Sequence, residues 1–436
     1  MVEPRVIPRA EHPISRRNID PDALKVLYRL RQFDYIAYLV GGSVRDLLIG
    51  RRPKDFDIGT SAHPHQIKKL FRNCWIIGRR FRLAHVRFGT KIIEVATFRR
   101  HVASPEEPAP GAAGPASAAG EGASAASATA PAAEAQPDRY LHRDNVFGTP
   151  EEDAFRRDFT INALFYDIDT FSVIDYVGGL EDLHAGLVRS IGDPDVRFQE
   201  DPVRMMRAVA LAARLDFTID ADSLRALERH RHAIARSSPA RLLEEYYKIL
   251  RGGAAERTFR ELAHLGLLEP VSAELHVGAE SLRQSLAALD AYRQRFETAP
   301  DTLTNPVLLG SLLAPMGLLP GAPEGDRRRA LPRLGQLPLA RRDVERLRQM
   351  LGLQRRLRDL SANPRAQRAL VHRSAFRDAL TWLEIHGNAP DLVEHWSALA
   401  AAISSPAAAE SAAVEPGRRR RRRRRRRRPI QATPGN

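Results

Sequence analysis

Apolar positions in this chain switch between helical and strand periods, and the switches divide it. Leu24, Leu27 and Leu30, with Val26 beside them, recur at helical spacing behind Asp20-Pro21, a cap and first-turn pair, so a helix is predicted to about Phe33. Tyr35–Val40 reads as a strand, Val44–Ile49 as a short helix closed by Gly50, and Phe56–Gly59 as a strand carrying Asp55 and Asp57. His63-Pro64 opens a helix with Ile67, Leu70 and Phe71 inward, and Cys74–Ile77 is a further strand. Ala84–Phe88 and Lys91–Phe98 flank Gly89-Thr90 as a hairpin. In its second arm Ile93 and Val95 share one face, while Ile92, Glu94, Ala96 and Phe98 share the other.

Further on, Phe155–Asp167 reads as a helix entered through Asp158, which would cap the Ile161 N–H. Phe171–Asp175 is a short strand, and Gly178-Gly179 turns into Leu180–Ala185. Within Arg197–Asp216, Pro202 suits the first position of a long helix capped by Asp201 or Glu200, with Arg204, Arg207 and Arg214 at helical spacing. Beyond it the pattern is helical throughout: Ser238-Pro239 to Gly252-Gly253, Thr258–Leu265, then 281–296, 303–313, 341–358, 365–386 and 390–402. No fixed-period repeat is present. The expected architecture is an α/β head, a small mixed β-sheet with helices, followed by an all-α neck and body. Its expected divisions are a flexible leader (1–18), the head (19–190), a neck for nucleotide and RNA binding (191–270), a body (271–402) and a basic tail (403–436).

Composition refines this picture in two places. Ala103–Pro137 holds 15 alanines in 35 residues and no basic or aromatic side chain, so it is expected to be a disordered insertion within the head. The net charge is +15, and Arg418, Arg419, Arg420, Arg421, Arg422, Arg423, Arg424, Arg425, Arg426, Arg427 and Arg428 supply 11 of it, leaving +4 for everything else. Such a run repels itself, and a disordered RNA-binding arm acting by counterion release is expected. The one cysteine, Cys74, excludes internal disulfides and a Cys-based zinc site and suits a reducing cytoplasm. No signal peptide is expected from the polar N-terminus, and no run of 18 apolar residues suggests a membrane span.

The candidate chemistry starts in Tyr38–Asp57. Gly41 and Gly42 let backbone N–H groups approach a phosphate, and Ser43 opens a helix. Asp55 and Asp57, two apart on a strand, share a side about 7 Å apart and repel unless a cation lies between them. Glu94 is either a third acidic group beside them or a salt-bridged strand residue.

These motifs resemble the class II nucleotidyltransferases of the polymerase-β superfamily: Gly41-Gly42-Ser43-Val44-Arg45-Asp46, then Asp55-Phe56-Asp57, then Arg156-Arg157-Asp158-Phe159-Thr160-Ile161-Asn162-Ala163-Leu164, then Glu200-Asp201-Pro202-Val203-Arg204. The resemblance covers about 35–270 outside the Ala-rich stretch. Leu70–Phe88, Asp144–Thr149 and the arginine-rich C-terminus look more like its bacterial poly(A) polymerases than its CCA-adding tRNA nucleotidyltransferases.

The resemblance implies an enzyme that adds AMP from ATP to RNA 3′ ends without a template and releases pyrophosphate, with RNA-decay machinery as a further partner. CCA addition is the alternative; a non-catalytic RNA-binding protein comes third, opposed by the intact Asp55/Asp57 pair. It implies two Mg²⁺ ions on Asp55 and Asp57. Gly41, Gly42, Ser43 and Arg45 would hold the triphosphate. Arg157 and Asp158 would serve the ribose, with Asn162 in the same block. Asp201 and Arg204 would read the base edge, unless they form only an i,i+3 ion pair, and Arg207 would share their face. Arg79, Arg80, Arg82 and Arg87 form a basic cluster that faces solvent or touches triphosphate or RNA. His85 is expected to be structural.

Overall fold

The structure is a computed structural model that describes residues 3–78, 82–100, 146–319 and 331–404. Ala103–Pro137, Arg79, Arg80 and Arg418–Arg428 lie outside the described residues, as do the expectations attached to them. The chain divides into two compact units, Met1–Val344 and Glu345–Asn436. No helix among the described residues is long and apolar enough to cross a membrane.

The head opens with β1 (Arg5–Ile7), α1 (Pro21–Gln32), β2 (Ala37–Val40), α2 (Gly42–Leu48), β3 (Ile58–Thr60), α3 (Pro64–Leu70), β4 (Cys74–Ile77), β5 (Leu83–Phe88) and β6 (Lys91–Thr97). It continues with β7 (Arg99–Arg100), β8 (Val146–Phe147), α4 (Pro150–Phe155), β9 (Leu164–Asp167), β10 (Ser172–Asp175) and α5 (Gly179–Ala185). Eight strands form one mixed sheet in the order β1-β10-β9-β2-β3-β6-β5-β4. Only β3 and β6 run parallel; the other pairs are antiparallel. β7 and β8 pair separately.

The expected α1 forms for the expected reason. The Asp20 carboxylate accepts from the N–H groups of Asp22 (2.8 Å) and Ala23 (3.4 Å), satisfying first-turn donors, and Val26, Leu27 and Leu30 are buried. Two expectations for the head are corrected. The leader is not flexible throughout: Arg5–Ile7 pairs with β10 as an edge strand, and Ile7 and Ile14 join the core. Phe155–Asp167 is not a helix. Its first residue closes α4, Thr160–Asn162 makes one 3₁₀ turn, and Leu164–Asp167 is β9, between β2 and β10. Leu164 and Tyr166 enter one core and Phe165 the core on the opposite face. A strand buried on both faces loses the polar–apolar alternation that identifies strands, so its run of apolar residues passes for a helix.

The helical part holds β11 (Leu187–Val188), α6 (Pro194–Glu200), α7 (Val203–Leu215), β12 (Thr218–Ile219), α8 (Ala221–His230), α9 (Pro239–Arg251), α10 (Ala255–His264), α11 (Ala273–Val277), α12 (Ala279–Gln294) and α13 (Asn305–Leu313). The residue-190 division is no break in packing: Ala208, Leu211, Ala212 and Leu215 of α7 belong to the same core as the sheet. Asp201 closes α6, so Pro202 stands at the cap of α7, one position earlier than expected.

α14 (Arg341–Leu357) runs across the boundary between the units. The second unit adds α15 (Pro364–Val371), α16 (Phe376–His386) and α17 (Pro390–Ser404), so the helix expected over 365–386 is interrupted. Its core centres on Trp396, whose indole N–H donates to the Leu357 carbonyl (2.8 Å).

Candidate active site

The site forms where β2 ends. Gly41 turns the chain into α2 with φ +71°, a left-handed conformation that other residues adopt at a cost. A Cβ there would stand 2.9 Å from an Arg157 guanidinium nitrogen. The turn also ends the β2–β3 ladder at Leu39↔Ile58, because Gly41 leaves the sheet. Asp55 and Asp57 therefore lie in the irregular segment leading into β3, which corrects the expectation that both sit on a strand. Asp57 is held at that threshold by its own carbonyl, which accepts from the Val40 N–H (3.1 Å). Continuing the parallel register Ile58↔Val95 back by one residue sets Asp57 abreast of Glu94.

The carboxylates there are poorly compensated. Asp55 is exposed, with Lys54 3.6 Å away. The Asp57 side chain reaches solvent, yet its carboxyl is crowded by protein, and this desolvation, with the charges of Glu94 and Asp55, lifts its pKa to about 6 against the pull of Arg157. Glu94 lies 3.5 Å from His85 and about half exposed. The face that Glu94 shares with Ile92 is open to solvent. Among the described residues no three His, Cys, Asp or Glu side chains form a closed metal-ligand cluster. The donors nevertheless fit a hard divalent cation: they are carboxylate oxygens whose mutual repulsion a cation would relieve.

A second carboxylate centre is fully compensated. Asp158 Oδ2 accepts from Arg207 Nε (2.8 Å) and Nη2 (2.5 Å); Oδ1 accepts from the Phe159 N–H (2.9 Å) and from Asn162 Nδ2 (3.2 Å). The expected cap on the Ile161 N–H is not made. Burial would raise this carboxyl, but Arg207 and these hydrogen bonds outweigh it and hold its pKa near 2. Asn162 is the hub: its side-chain oxygen accepts from Arg45, its amide donates to Asp158, and its carbonyl accepts from Arg157 Nη1 (3.2 Å). Arg157 is in turn clamped by Asp153 Oδ2, at 3.1 Å from Nε and 2.9 Å from Nη2.

This wiring redistributes the roles expected near Gly41. Arg45 is buried, and its guanidinium is committed to Asp46 (2.6 and 2.8 Å) and Asn162, so it positions the turn rather than reaching outward. The Ser43 hydroxyl donates to the Val40 carbonyl (3.0 Å), and Gly41 N–H to the Leu164 carbonyl (3.1 Å).

Asp201 and Arg204 do not form the i,i+3 ion pair that was the plain reading. Asp201 Oδ2 accepts from Arg241 (2.9 Å), while Oδ1 is buried with no partner. Arg204 donates to the Arg197 carbonyl (3.4 Å) and lies 3.8 Å from Glu200; burial pushes its guanidinium below its ordinary pKa. An orphan acceptor beside a partly used donor can pair with a complementary edge.

Three contributors escaped the sequence reading. Asp153 stands three and four residues before Arg156 and Arg157, a legible helical spacing. Arg197, whose Nη2 donates to the carbonyls of Arg156 (2.8 Å) and Arg157 (2.9 Å), and Glu245, 3.7 Å from Arg207, act across about 40 residues and leave no local signal.

Comparison with known proteins follows the same segments. Family profiles described as "Poly A polymerase head domain", "Probable RNA and SrmB- binding site of polymerase A" and "Polymerase A arginine-rich C-terminus" match residues 37–189, 216–277 and 332–429. Poly(A) polymerase I of Salmonella typhi is 47% identical over 266 residues, 61% of this chain and 53% of that protein. The CCA-adding enzyme of Lactobacillus gasseri is 33% identical over 249 residues, 57% of this chain and 54% of that protein. The chain thus aligns with about half the length of these curated relatives. The solved Bacillus stearothermophilus CCA-adding enzyme in complex with CTP is similar with a TM-score of 0.57 and 25% identity, covering 88% of this chain and 84% of that one.

Proposed function

We propose that this chain, similar over its head to poly(A) polymerases, adds AMP from ATP to RNA 3′ ends without a template. The observation that carries this reading is Asp57. It stands abreast of Glu94, tied through its carbonyl to the strand end that precedes the glycine turn and within the field of Arg157, and desolvation with its acidic neighbours pushes its pKa up to about 6. Asp55 and Asp57 would hold the two Mg²⁺ ions. Those ions supply charge neutralisation and acidify a hydroxyl. The RNA 3′-oxygen forms a bond to the α-phosphorus, the bond to the bridging oxygen breaks, and pyrophosphate leaves.

The chain's own residues orient the reactants. The Gly41-Gly42 turn admits the triphosphate close to backbone, and Arg45 keeps that turn in place through Asn162. Arg157 brings positive charge to the turn. Asp158, held ionised, would accept from a ribose hydroxyl in exchange for its longest bond, that from Asn162 Nδ2 (3.2 Å), and so favour ATP over dATP. Asp201 Oδ1 accepts from the exocyclic amine of adenine, and Arg204 donates to a ring nitrogen; the unpartnered state of Oδ1 supports this assignment. We place the enzyme in the cytoplasm, where oligo(A) tails feed RNA processing and decay.

Likeness to CCA-adding enzymes favours a second reading, CCA addition to tRNA. The test is the purified protein with Mg²⁺, a generic RNA primer and a tRNA lacking its CCA end, each NTP offered singly. A long ladder on either primer with ATP alone is the expected result. Addition confined to the CCA sequence on tRNA would replace the reading.

A further inference from the structure

The half of the sheet next to the catalytic carboxylates is covered on one face only. Cys74, Val86 and Ile93 stand in register and are buried beneath it. On the opposite face Trp75 pairs with His85, and His85 with Glu94, forming a row from the edge strand β4 to the carboxylate abreast of Asp57. This face is apolar where an edge is ordinarily charged: Trp75 is 49% exposed, Ile77 50% and Ile92 49%. Its rim is cationic. Arg82 and Arg87 are exposed on β5 and its approach. Neither Arg82 nor Arg87 has a carboxylate partner among the described residues.

We infer that this open face of β4, β5 and β6 is the track on which the 3′-terminal nucleotides of the acceptor RNA lie, with a base stacked on Trp75 and phosphates toward Arg82 and Arg87. The inference rests on the nucleotidyl-transfer reading and adds the acceptor's position to it. Three features select RNA as the occupant. The row that begins at Trp75 leads through His85 to Glu94, beside the carboxylates where a 3′-hydroxyl must arrive. Its cations lack anions, and an aromatic–cation combination suits single-stranded nucleic acid. Two strand spacings separate Trp75 from Glu94, about 10 Å, which three stacking steps of roughly 3.4 Å span.

The test uses the full chain with Trp75→Ala and Trp75→Phe. The first readout is the KM for a short oligo(A) acceptor alongside the KM for ATP. Trp75→Ala should raise the acceptor KM about tenfold, as expected for one lost base–aromatic stack, with the ATP KM unchanged, and Trp75→Phe should stay near wild type. The second readout is tryptophan fluorescence on adding oligo(A) without ATP or metal: quenching in wild type should be largely lost in Trp75→Phe. An unchanged acceptor KM in Trp75→Ala, an ATP KM rising in step with it, or full quenching in Trp75→Phe would overturn the track; a protein partner on this face would give the first of these. If wild type transfers no AMP at all, the functional reading fails, whereas Trp75-dependent quenching still supports the track.

Discussion

Asp57 and Asp158 are the same side chain in one site with opposite electrostatics. Asp158 has four hydrogen-bond donors, two of them from the Arg207 guanidinium, and its pKa sits near 2. Asp57 has carboxylate neighbours and is lifted to about 6. Desolvation pushes both carboxyls upward, so it does not account for their opposite shifts; the partners do. The difference identifies what each awaits. Asp158 is complete as folded. Asp57 is in deficit, and a cation would complete it.

The comparison is broken most directly by removing the charge in deficit. If the two carboxylates hold metal as proposed, Asp57→Asn, like Asp55→Ala, should lower AMP transfer by about a thousandfold or more. Because it also removes repulsion, the melting temperature should hold or rise. A melting temperature that falls with activity would show Asp57 to be structural. Asp158→Asn should do the reverse to the fold. Breaking this pair should cost about 1–3 kcal/mol, less than a fully buried pair because Arg207 is partly exposed, and a thermal melt should register it as a drop of several degrees.

pH sharpens the contrast, because the two groups have opposite signs. The folded pKa of Asp158 is depressed, so its contribution is present above the unfolded value of about 3.9 and is lost as pH falls toward 2. The folded pKa of Asp57 is raised, so the folded protein binds the extra proton between about 4 and 6, and stability drops as pH rises through that window. Mg²⁺ should therefore raise the melting temperature clearly at pH 7.5 and little at pH 5, with the pH dependence gone in Asp57→Asn. Equal stabilisation at both pH values would detach Asp57 from the cation.

The smallest effect on the site should come from a change outside it. Deleting the residues after Gly417 should lower RNA affinity and flatten its salt dependence while leaving the KM for ATP unchanged. An unchanged salt slope would remove the arginine run from RNA binding.

Much of the site's membership was readable because motif residues are local. Gly41, Asp55, Asp57, Arg157 and Asp158 are named by short blocks in which each neighbour constrains the next. Their duties were less readable. Arg45 and Ser43 read as ligand contacts and fold inward as supports, since a partner such as Asn162 lies 117 residues from Arg45. β9 read as a helix because burial on both faces erased its alternation. The leader read as flexible because the edge it pairs with, Asp175 opposite Arg5, is 170 residues away.

By itself the sequence determined the order of elements in the hairpin and α1, the α/β-then-helical class, the glycine turn, and the acidic and basic residues from which the site is assembled. Those properties are local: side-chain period, cap chemistry and φ preference act within a few residues. Tertiary structure alone decided which carboxylate is satisfied and which is in deficit, that Asp201 keeps an unpartnered oxygen instead of pairing with Arg204, and that Trp75 shares a row with Glu94. Each of these depends on strand register or on a guanidinium from a distant helix, and an electrostatic environment is a sum over neighbours in space that the order of residues along the chain does not list.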